Sequence, residues 1–289
     1  MAVDEFDYTT NPKADGIVAS LVHSGGCIIR NLITDYNVLE KIENDVRPHI
    51  EADRPWIGVD FCPPETRRVM ENRALSPKPY QTILCIAMYV LDCCARPTVL
   101  VSEPQLSNTI VFSIGPGAKR QELHRDDSIH HNKLPELASY HDCRIGRDTS
   151  VGLSVAGKKP TKANGATRFI PGSHLWGEER CPDEDLAYYA ELQPGDAFLM
   201  LASCYHGGSA NTTADEERLV YSCFMTKGFL RQEENQYLVN SLEQVKQYPR
   251  DVQKLIGYSV SKPFLGWVNL EDPIKMLYND GKVEGNGMR

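Results

Sequence analysis

The stretch "QPGDAFLMLASCYHGG", residues 193 to 208, combines a turn, an apolar run, and a histidine followed by two glycines. "QPGD" is a turn signal, and "DAFLMLAS" (196–203) has the length and composition of a buried strand. The pattern places His206 at the end of that strand, where Gly207 and Gly208 let the backbone approach a ligand closely. The segment therefore predicts a β core with a ligand site at one strand end.

Short runs of the same character occur elsewhere between turn residues. They are "NTIVFSIGPG" (108–117), "TSVGLSVAG" (149–157), "ATRFIPGS" (166–173) and "RLVYSCFMTKG" (218–228). Many short strands separated by turns are typical of an all-β barrel or jelly roll. Helical spacing of apolar residues appears outside them, at 14–24, at 35–53 and after residue 232. We therefore predict a mainly β protein with flanking helices.

The domain organisation follows from this distribution. We predict a single domain over residues 1–289. It consists of an N-terminal helical support (1–104), a jelly-roll core (105–230) and a C-terminal helical tail (231–289). The chain contains no repeat and no low-complexity linker that would divide it.

Two segments of the N-terminal part need a separate interpretation. "DFCPPETRRVMENRALSPKPYQ" (60–81) is rich in proline and charge, and its length as a loop suggests a functional lid. The apolar run at 82–101 is interrupted by Asp92, Arg96 and Pro97. It is therefore predicted to be a buried helix that ends before Pro97, not a membrane span.

Bulk composition excludes some classes of function. The formal net charge of −8 argues against a nucleic-acid binder, which would present a basic face. The nine cysteines form no CxxC pair, and the first residues contain no apolar run like that of a signal peptide. We therefore expect reduced, mostly buried thiols and a cytoplasmic location.

A candidate metal site lies in "ELHRDDSIHH", residues 122 to 131. On a strand, His124 and Asp126 would project from the same face, which supplies two ligands of a 2-His-1-carboxylate triad. His174 and His206 compete for the third place, and we prefer His206 because of its glycine neighbours. Arg218, twelve residues after His206, could then hold a carboxylate through two hydrogen bonds.

Neighbouring residues receive less specific interpretations. Asp127 should point away from Asp126 and be structural, and His130 and His131 should lie at the rim of the pocket. Tyr205 and Phe224 flank the ligand strands, so each could line a substrate pocket, although core packing is the ordinary role of such residues. Cys204 has no nearby base that would make it a nucleophile.

Several motifs together resemble one known family. "HRDD", "NGATRFIPGSH", "QPGDAFLM" and "HGGSANTTADEER" are similar to segments of the phytanoyl-CoA dioxygenase family of Fe(II)/2-oxoglutarate oxygenases. The similarity covers about residues 15 to 270, and "FCPPETRRV" resembles the substrate-side loop of fungal members that tailor meroterpenoids and alkaloids. The resemblance implies a double-stranded β-helix (cupin-like) core and commonly a homodimer.

The resemblance also implies roles for individual residues. His124, Asp126 and His206 match the iron ligands, and Arg218 matches the partner of the distal carboxylate of 2-oxoglutarate. Three further residues match contacts of the co-substrate, namely Gln121, Thr167 and, in a loosely matching loop, Asn72. The implied cofactors are Fe(II), 2-oxoglutarate and O2.

The leading hypothesis is thus a dioxygenase that oxidises a polycyclic secondary metabolite, a meroterpenoid or an alkaloid, by hydrogen abstraction. Hydroxylation, desaturation, rearrangement and endoperoxidation all begin in this way, with succinate and CO2 as co-products, and the sequence does not choose among them. Three alternatives stay open. An acyl-CoA hydroxylase would need a basic patch, for which "GKKPTK" (157–162) is the only dense lysine cluster. The others are a non-catalytic metal-binding jelly roll and a zinc hydrolase.

Overall fold

The computed structural model describes residues 2–10, 12, 14–54, 66–70, 102–131, 133–142 and 147–278. Ten strands and five α-helices lie in these ranges. The strands are β1 Glu5–Asp7, β2 Gly26–Arg30, β3 Thr66–Met70, β4 Pro104–Ile114, β5 Ser150–Ala156, β6 Thr167–Phe169, β7 Tyr188–Tyr189, β8 Ala197–Leu201, β9 His206–Gly208 and β10 Arg218–Lys227. The helices are α1 Ala14–Ser24, α2 Tyr36–Ala52, α3 Gln236–Val239, α4 Leu242–Gln247 and α5 Arg250–Leu255.

The strands form two sheets. The major sheet has the order β1-β2-β8-β5-β10-β4-β3, and the minor sheet has the order β7-β6-β9. All pairings are antiparallel except that of β1 with β2. The longest pairing joins β10 to β4, from Arg218 opposite Ile114 to Lys227 opposite Pro104, with an irregularity between Phe224 and Met225. This mostly β architecture with few helices confirms the predicted fold class.

The two faces of the major sheet differ because side chains alternate along each strand. Odd-numbered residues such as Leu153, Leu199 and Tyr221 are fully buried and belong to the hydrophobic core. That core also contains the apolar stripes of α1 and α2, so both helices pack on this face. Even-numbered residues such as Ile110 and Ser222 point to the other face, where they line a cavity.

Helix α2 illustrates how local sequence produces this packing. Leu39, Ile42, Val46 and Ile50 recur at helical spacing and are all buried. Asp35 caps the first turn, where its side chain accepts a hydrogen bond from the backbone N–H of Asn37 at 3.0 Å. The helix is therefore fixed by one capped end and one apolar stripe.

Several local predictions need correction or lie outside the described residues. The predicted loop at 60–81 contains strand β3, which extends the major sheet beside β4. In the C-terminal tail, the region predicted to be helical forms three short helices, α3 to α5. The predicted helix at 82–96 and Asn72 lie outside the described residues. None of the described helices is long and apolar enough to cross a bilayer.

Candidate metal and co-substrate site

The structure brings His124, Asp126 and His206 together on the cavity side of the major sheet. One carboxylate oxygen of Asp126 lies 3.5 Å from Nε2 of His124, and the other lies 3.4 Å from Nε2 of His206. Three candidate ligand atoms, one from each residue, lie within 4.8 Å of one another. Two imidazoles and one carboxylate on one side of a common point are the donor set of a non-haem iron site.

Backbone contacts hold the two imidazoles in place. The backbone N–H of each histidine donates to the carbonyl of the other, at 2.9 Å in both directions. Nδ1 of His124 lies 2.9 Å from the carbonyl oxygen of Glu122, and Nδ1 of His206 lies 3.1 Å from that of Cys204. A proton on each Nδ1 satisfies these contacts and leaves the lone pair of each Nε2 directed at the metal position.

The two ligands of the HxD motif come together in a way that the sequence pattern did not predict. His124 forms an isolated bridge with His206, and Asp126 begins a 3-10 helix that runs to His130. The prediction that His124 and Asp126 lie on one strand was therefore wrong. Extended backbone at Arg125 (φ −117°, ψ 129°) nevertheless directs both side chains to the same point. His206 likewise does not end the strand of 196–203, because it opens β9 in the minor sheet.

The protonation equilibria of Asp126 and His206 favour metal binding, whereas that of His124 opposes it. Burial lowers the pKa of His206, which keeps its imidazole neutral. Burial alone would raise the pKa of Asp126, but the neighbouring His206 and His124 hold it below its ordinary value. For His124, burial lowers the pKa, but the hydrogen bond and charge of Asp126 and the contact with the Glu122 carbonyl together outweigh burial and raise it. Iron(II) would displace that proton on binding.

Arg218 opens β10 at one end of the cavity. It is 5% exposed, and its Nη2 donates to Oγ1 of Thr167 at 2.6 Å. Its Nε is buried and has no hydrogen-bond partner. Burial lowers the pKa of its guanidinium to about 10. A buried guanidinium with an unused donor is costly without an anion, so the site fits the carboxylate of a 2-oxo acid.

Gln121 and Gly208 complete this end of the cavity. The backbone N–H of Gly208 donates to Oε1 of Gln121 at 3.0 Å. A Cβ added at Gly208 would lie 3.3 Å from that oxygen and 3.6 Å from Nη1 of Arg218. The lack of a side chain at Gly208 therefore allows the amide and the guanidinium to approach the same space. The structure thus brings Gln121, Thr167 and Arg218 together beside the triad.

Arg168 was not singled out from the sequence, although it supports this arrangement. It is 2% exposed and donates to the carbonyl oxygens of Gly208 and Gln121, each at 2.6 Å. Its Nε donates to the carboxylate of Glu184 at 2.8 Å. A charged residue inside an otherwise apolar strand, in "ATRFI", was the available signal, because such a residue needs buried partners.

The aromatic residues that were predicted for the substrate pocket differ in their positions. Phe224 lines the cavity, as expected. Tyr205 is not among the described residues that line it, because its ring packs under the guanidinium of Arg125, 4.2 Å from the ring centroid, and beside Trp176. It therefore supports the segment that carries the candidate ligands His124 and Asp126.

The remaining candidates lie apart from the metal position. His174 is fully buried, and its Nε2 lies 3.0 Å from the carbonyl oxygen of Val22. His130 is not on the described cavity lining either, and its Nε2 lies 3.4 Å from Oγ1 of Thr226. Asp127 is buried. Burial raises the pKa of the Cys204 thiol to about 12, so this cysteine is not nucleophilic.

The comparison with known proteins agrees with this geometry. Residues 22–220 match the profile of the family described as "Phytanoyl-CoA dioxygenase (PhyH)". The chain belongs to the phytanoyl-CoA dioxygenase family. It is 41% identical over 275 residues to "Dioxygenase peniF" of Penicillium patulum, a match that covers 91% of this chain and 88% of that protein. It is 38% identical over 292 residues to "Dioxygenase himG" of Aspergillus japonicus, with 94% and 89% covered.

A solved structure has the same fold. The epimerase SnoN, crystallised in complex with Fe3+, alpha ketoglutarate and nogalamycin RO, superposes with a TM-score of 0.55 at 18% identity. The match covers 79% of this chain and 90% of that one. Family membership and the 2-His-1-carboxylate donor set identify this chain as an Fe(II)/2-oxoglutarate-dependent dioxygenase, with O2 as the second co-substrate.

Proposed function

We propose that this dioxygenase oxidises a polycyclic secondary metabolite by hydrogen abstraction, with His124, Asp126 and His206 as iron ligands and Arg218 as the partner of 2-oxoglutarate. The convergence of the three ligand atoms beside a buried arginine with an unused donor carries this proposal. Similarity to dioxygenases of Penicillium and Aspergillus supports a substrate from fungal secondary metabolism.

Individual residues of the cavity would have separate roles in this reaction. Bound iron(II) and 2-oxoglutarate supply the oxidising power for breaking an unactivated C–H bond. Arg218 would orient the co-substrate through its distal carboxylate, with Thr167 fixing the guanidinium and Gln121 placed beside it. The apolar side chains of Ile110 and Phe224 would exclude water and position the substrate carbon.

Asp126 bears on the type of reaction. Its two oxygens face both histidines, so its carboxylate would take a coordination position on the metal that a halide would otherwise need. We therefore propose oxygenation, desaturation or rearrangement of the substrate instead of halogenation. The choice among these outcomes depends on how the cavity holds the substrate radical.

An acyl-CoA substrate is less well supported. In the lysine cluster at 157–162, Lys158 already binds Glu217 at 2.6 Å, and Lys162 stacks 4.4 Å above the ring of Tyr189. Neither lysine is among the described residues that line the cavity. A site for CoA phosphates would need a cluster of free cations at the cavity, whereas Lys119 is the one exposed lysine among the described lining residues. The predicted homodimer stays a prediction.

The proposal is tested by anaerobic titration of the metal-free protein with Fe(II) and then with 2-oxoglutarate. We expect a weak visible charge-transfer band that needs both additions. The band should fade in Arg218→Ala at limiting 2-oxoglutarate. Absence of the band in the wild-type protein, together with tight zinc binding, would instead favour a hydrolase or a metal-binding module.

A further inference from the structure

The cavity has a polar end that the proposed chemistry does not use. On paired strands β4 and β10, Arg218 lies opposite Ile114, whereas Phe224 lies opposite Asn108. Six residues separate the two positions along each strand, which corresponds to about 20 Å. Asn108 and Glu233 line this second end. It therefore lies far from the co-substrate end and is available to the substrate.

Glu233 is held at this end by several contacts with β4. Its backbone N–H donates to Oγ of Ser107 at 3.2 Å, and that of Glu234 donates to the Ser107 carbonyl at 3.2 Å. Nε2 of Gln232 donates to the carbonyl of Leu106 at 2.7 Å. The side-chain amide of Asn108 donates to the Glu233 carboxylate itself. The carboxylate is thus held at the cavity on a residue that is exposed to solvent.

Glu233 is the acidic lining residue that has no positive partner among the described residues. Asp126 belongs to the metal site, and the guanidinium of Arg125 donates to the carbonyl oxygens of Ser173 and Trp176. No ion pair joins Glu233 to a cation in the described ranges, although a Lys or Arg commonly pairs with such a carboxylate. Although Glu233 as a residue is exposed, partial burial of its carboxylate, together with the charges of Asp126 and Glu234, raises its pKa. A bound cation would relieve this electrostatic cost.

Two neighbours add independent evidence for a ligand. Asn108 is 2% exposed, and its Oδ1 is buried without a hydrogen-bond partner. Unsatisfied buried acceptors of this kind are uncommon, and a donor on a ligand can satisfy them. The ring of Phe224 lies in the same cross-strand row, where Gly152 makes room for it: a Cβ at Gly152 would lie 3.0 Å from that ring. A carboxylate beside an aromatic ring is a favourable environment for an ammonium group.

We infer that Glu233, supported by Asn108 and Phe224, binds a protonated amine of the substrate, so that the substrate is a basic polycyclic compound. The inference rests on the proposed function, because it names the substrate class of the same cavity. Charge is then divided along the cavity. Arg218 and the exposed Lys119 line the same cavity and supply positive charge for the dicarboxylate co-substrate, and Glu233 takes the cationic nitrogen.

The test uses anaerobic protein loaded with Fe(II) and 2-oxoglutarate. The probes are decahydroisoquinoline and tetrahydro-β-carboline, each paired with its neutral N-acetyl derivative, and binding is measured by calorimetry. We expect the wild-type protein to prefer each amine to its acetylated partner. Glu233→Gln should weaken amine binding about 10-fold, the lower end for a charge-assisted hydrogen bond, and leave the neutral probes unaffected. Glu234→Gln is the matched control, because Glu234 is not among the described lining residues.

Each outcome bears on the inference. A preference for amines that Glu233→Gln removes and Glu234→Gln retains supports it. Equal binding of both members of each pair, a preference that persists in Glu233→Gln, or no amine binding in the low-millimolar range overturns it. The charge-transfer titration separates this failure from failure of the proposed function. If Fe(II) and 2-oxoglutarate bind normally while the amine preference is absent, only the assignment of Glu233 is wrong.

Discussion

Replacing Arg218 with methionine should stabilise the protein in the absence of 2-oxoglutarate while removing co-substrate binding. Burial lowers the pKa of this guanidinium from its ordinary value to about 10. A fall of that size corresponds to about 3 kcal/mol of unfavourable free energy for the charged form. The hydrogen bond to Thr167 would be lost, at a cost of about 1 kcal/mol. The net expected gain in unfolding free energy is therefore about 2 kcal/mol.

Thermal unfolding followed by calorimetry measures this gain. A gain of about 2 kcal/mol should raise Tm by about 3 °C for a chain of 289 residues. With Fe(II) present under anaerobic conditions, 2-oxoglutarate should raise the Tm of the wild-type protein and have no effect on Arg218→Met, because only the former binds it. Arg218→Lys is the control, since it keeps a buried charge but cannot form bidentate hydrogen bonds with a carboxylate. It should show weak co-substrate binding without the gain in stability.

The result that would refute this reasoning is a clear fall in Tm for Arg218→Met without co-substrate. Such a fall would mean that the guanidinium stabilises the fold through its existing contacts. The burial of an arginine with an unpaired Nε would then have a structural purpose, and the argument for a carboxylate partner would fail.

Three further predictions concern the surroundings of the site. The pKa of Glu217 is lowered to about 2, because hydrogen bonds from Arg47 and Lys158 together outweigh the effect of burial. The substitution Glu217→Gln should therefore lower the free energy of unfolding at pH 7 by about 2 kcal/mol, after a discount for the partial exposure of this side chain. This difference should be full above the unfolded value of 4.5 and vanish as the pH falls through about 2, which urea unfolding at several pH values can check. Gly208→Ala should raise the KM for 2-oxoglutarate severalfold with little change in Tm, because the added Cβ enters the space beside Gln121; an unchanged KM would contradict that placement. His206→Ala should abolish Fe(II) binding in calorimetric titration, whereas His174→Ala should retain most of it, and equal losses would count against His206 as the third ligand.

The strands were predictable because the apolar runs are bounded by strong turn signals. Strand β8 covers 197–201 against a predicted 196–203, and β10 covers 218–227 against 218–228. Short strands such as β9 escaped prediction, since three residues with two glycines carry no periodic signal. Strand β3 was missed because its sequence, "TRRVM", is mostly polar and its pairing with β4 is a tertiary contact.

In the site, as in the strands, features defined by local sequence were predictable and features that depend on tertiary contacts were not. The choice of His206 over His174 followed from neighbouring glycines, and the structure places these two histidines in different surroundings. The incorrect prediction of a strand at 124–126 did not change the predicted ligands. A bridge followed by a 3-10 turn directs both side chains to one point, as a strand would. Tyr205 was misplaced because its contact with Arg125 is tertiary, between residues far apart in sequence, and no local pattern indicates it.

The polar end of the cavity could not be found from the sequence, because its residues are of common types and lie far apart along the chain. Glu233 lies in "RQEENQ", where it is indistinguishable from an ordinary solvated acid such as Glu234. Asn108 lies at the start of an apolar run, 125 residues away in sequence. Only the even-numbered face of the major sheet joins Asn108 to Phe224 and to the metal centre. The proposed metal ligands are recognisable because their chemistry requires particular residue types, whereas a substrate site uses common residue types and is defined by their position in the fold.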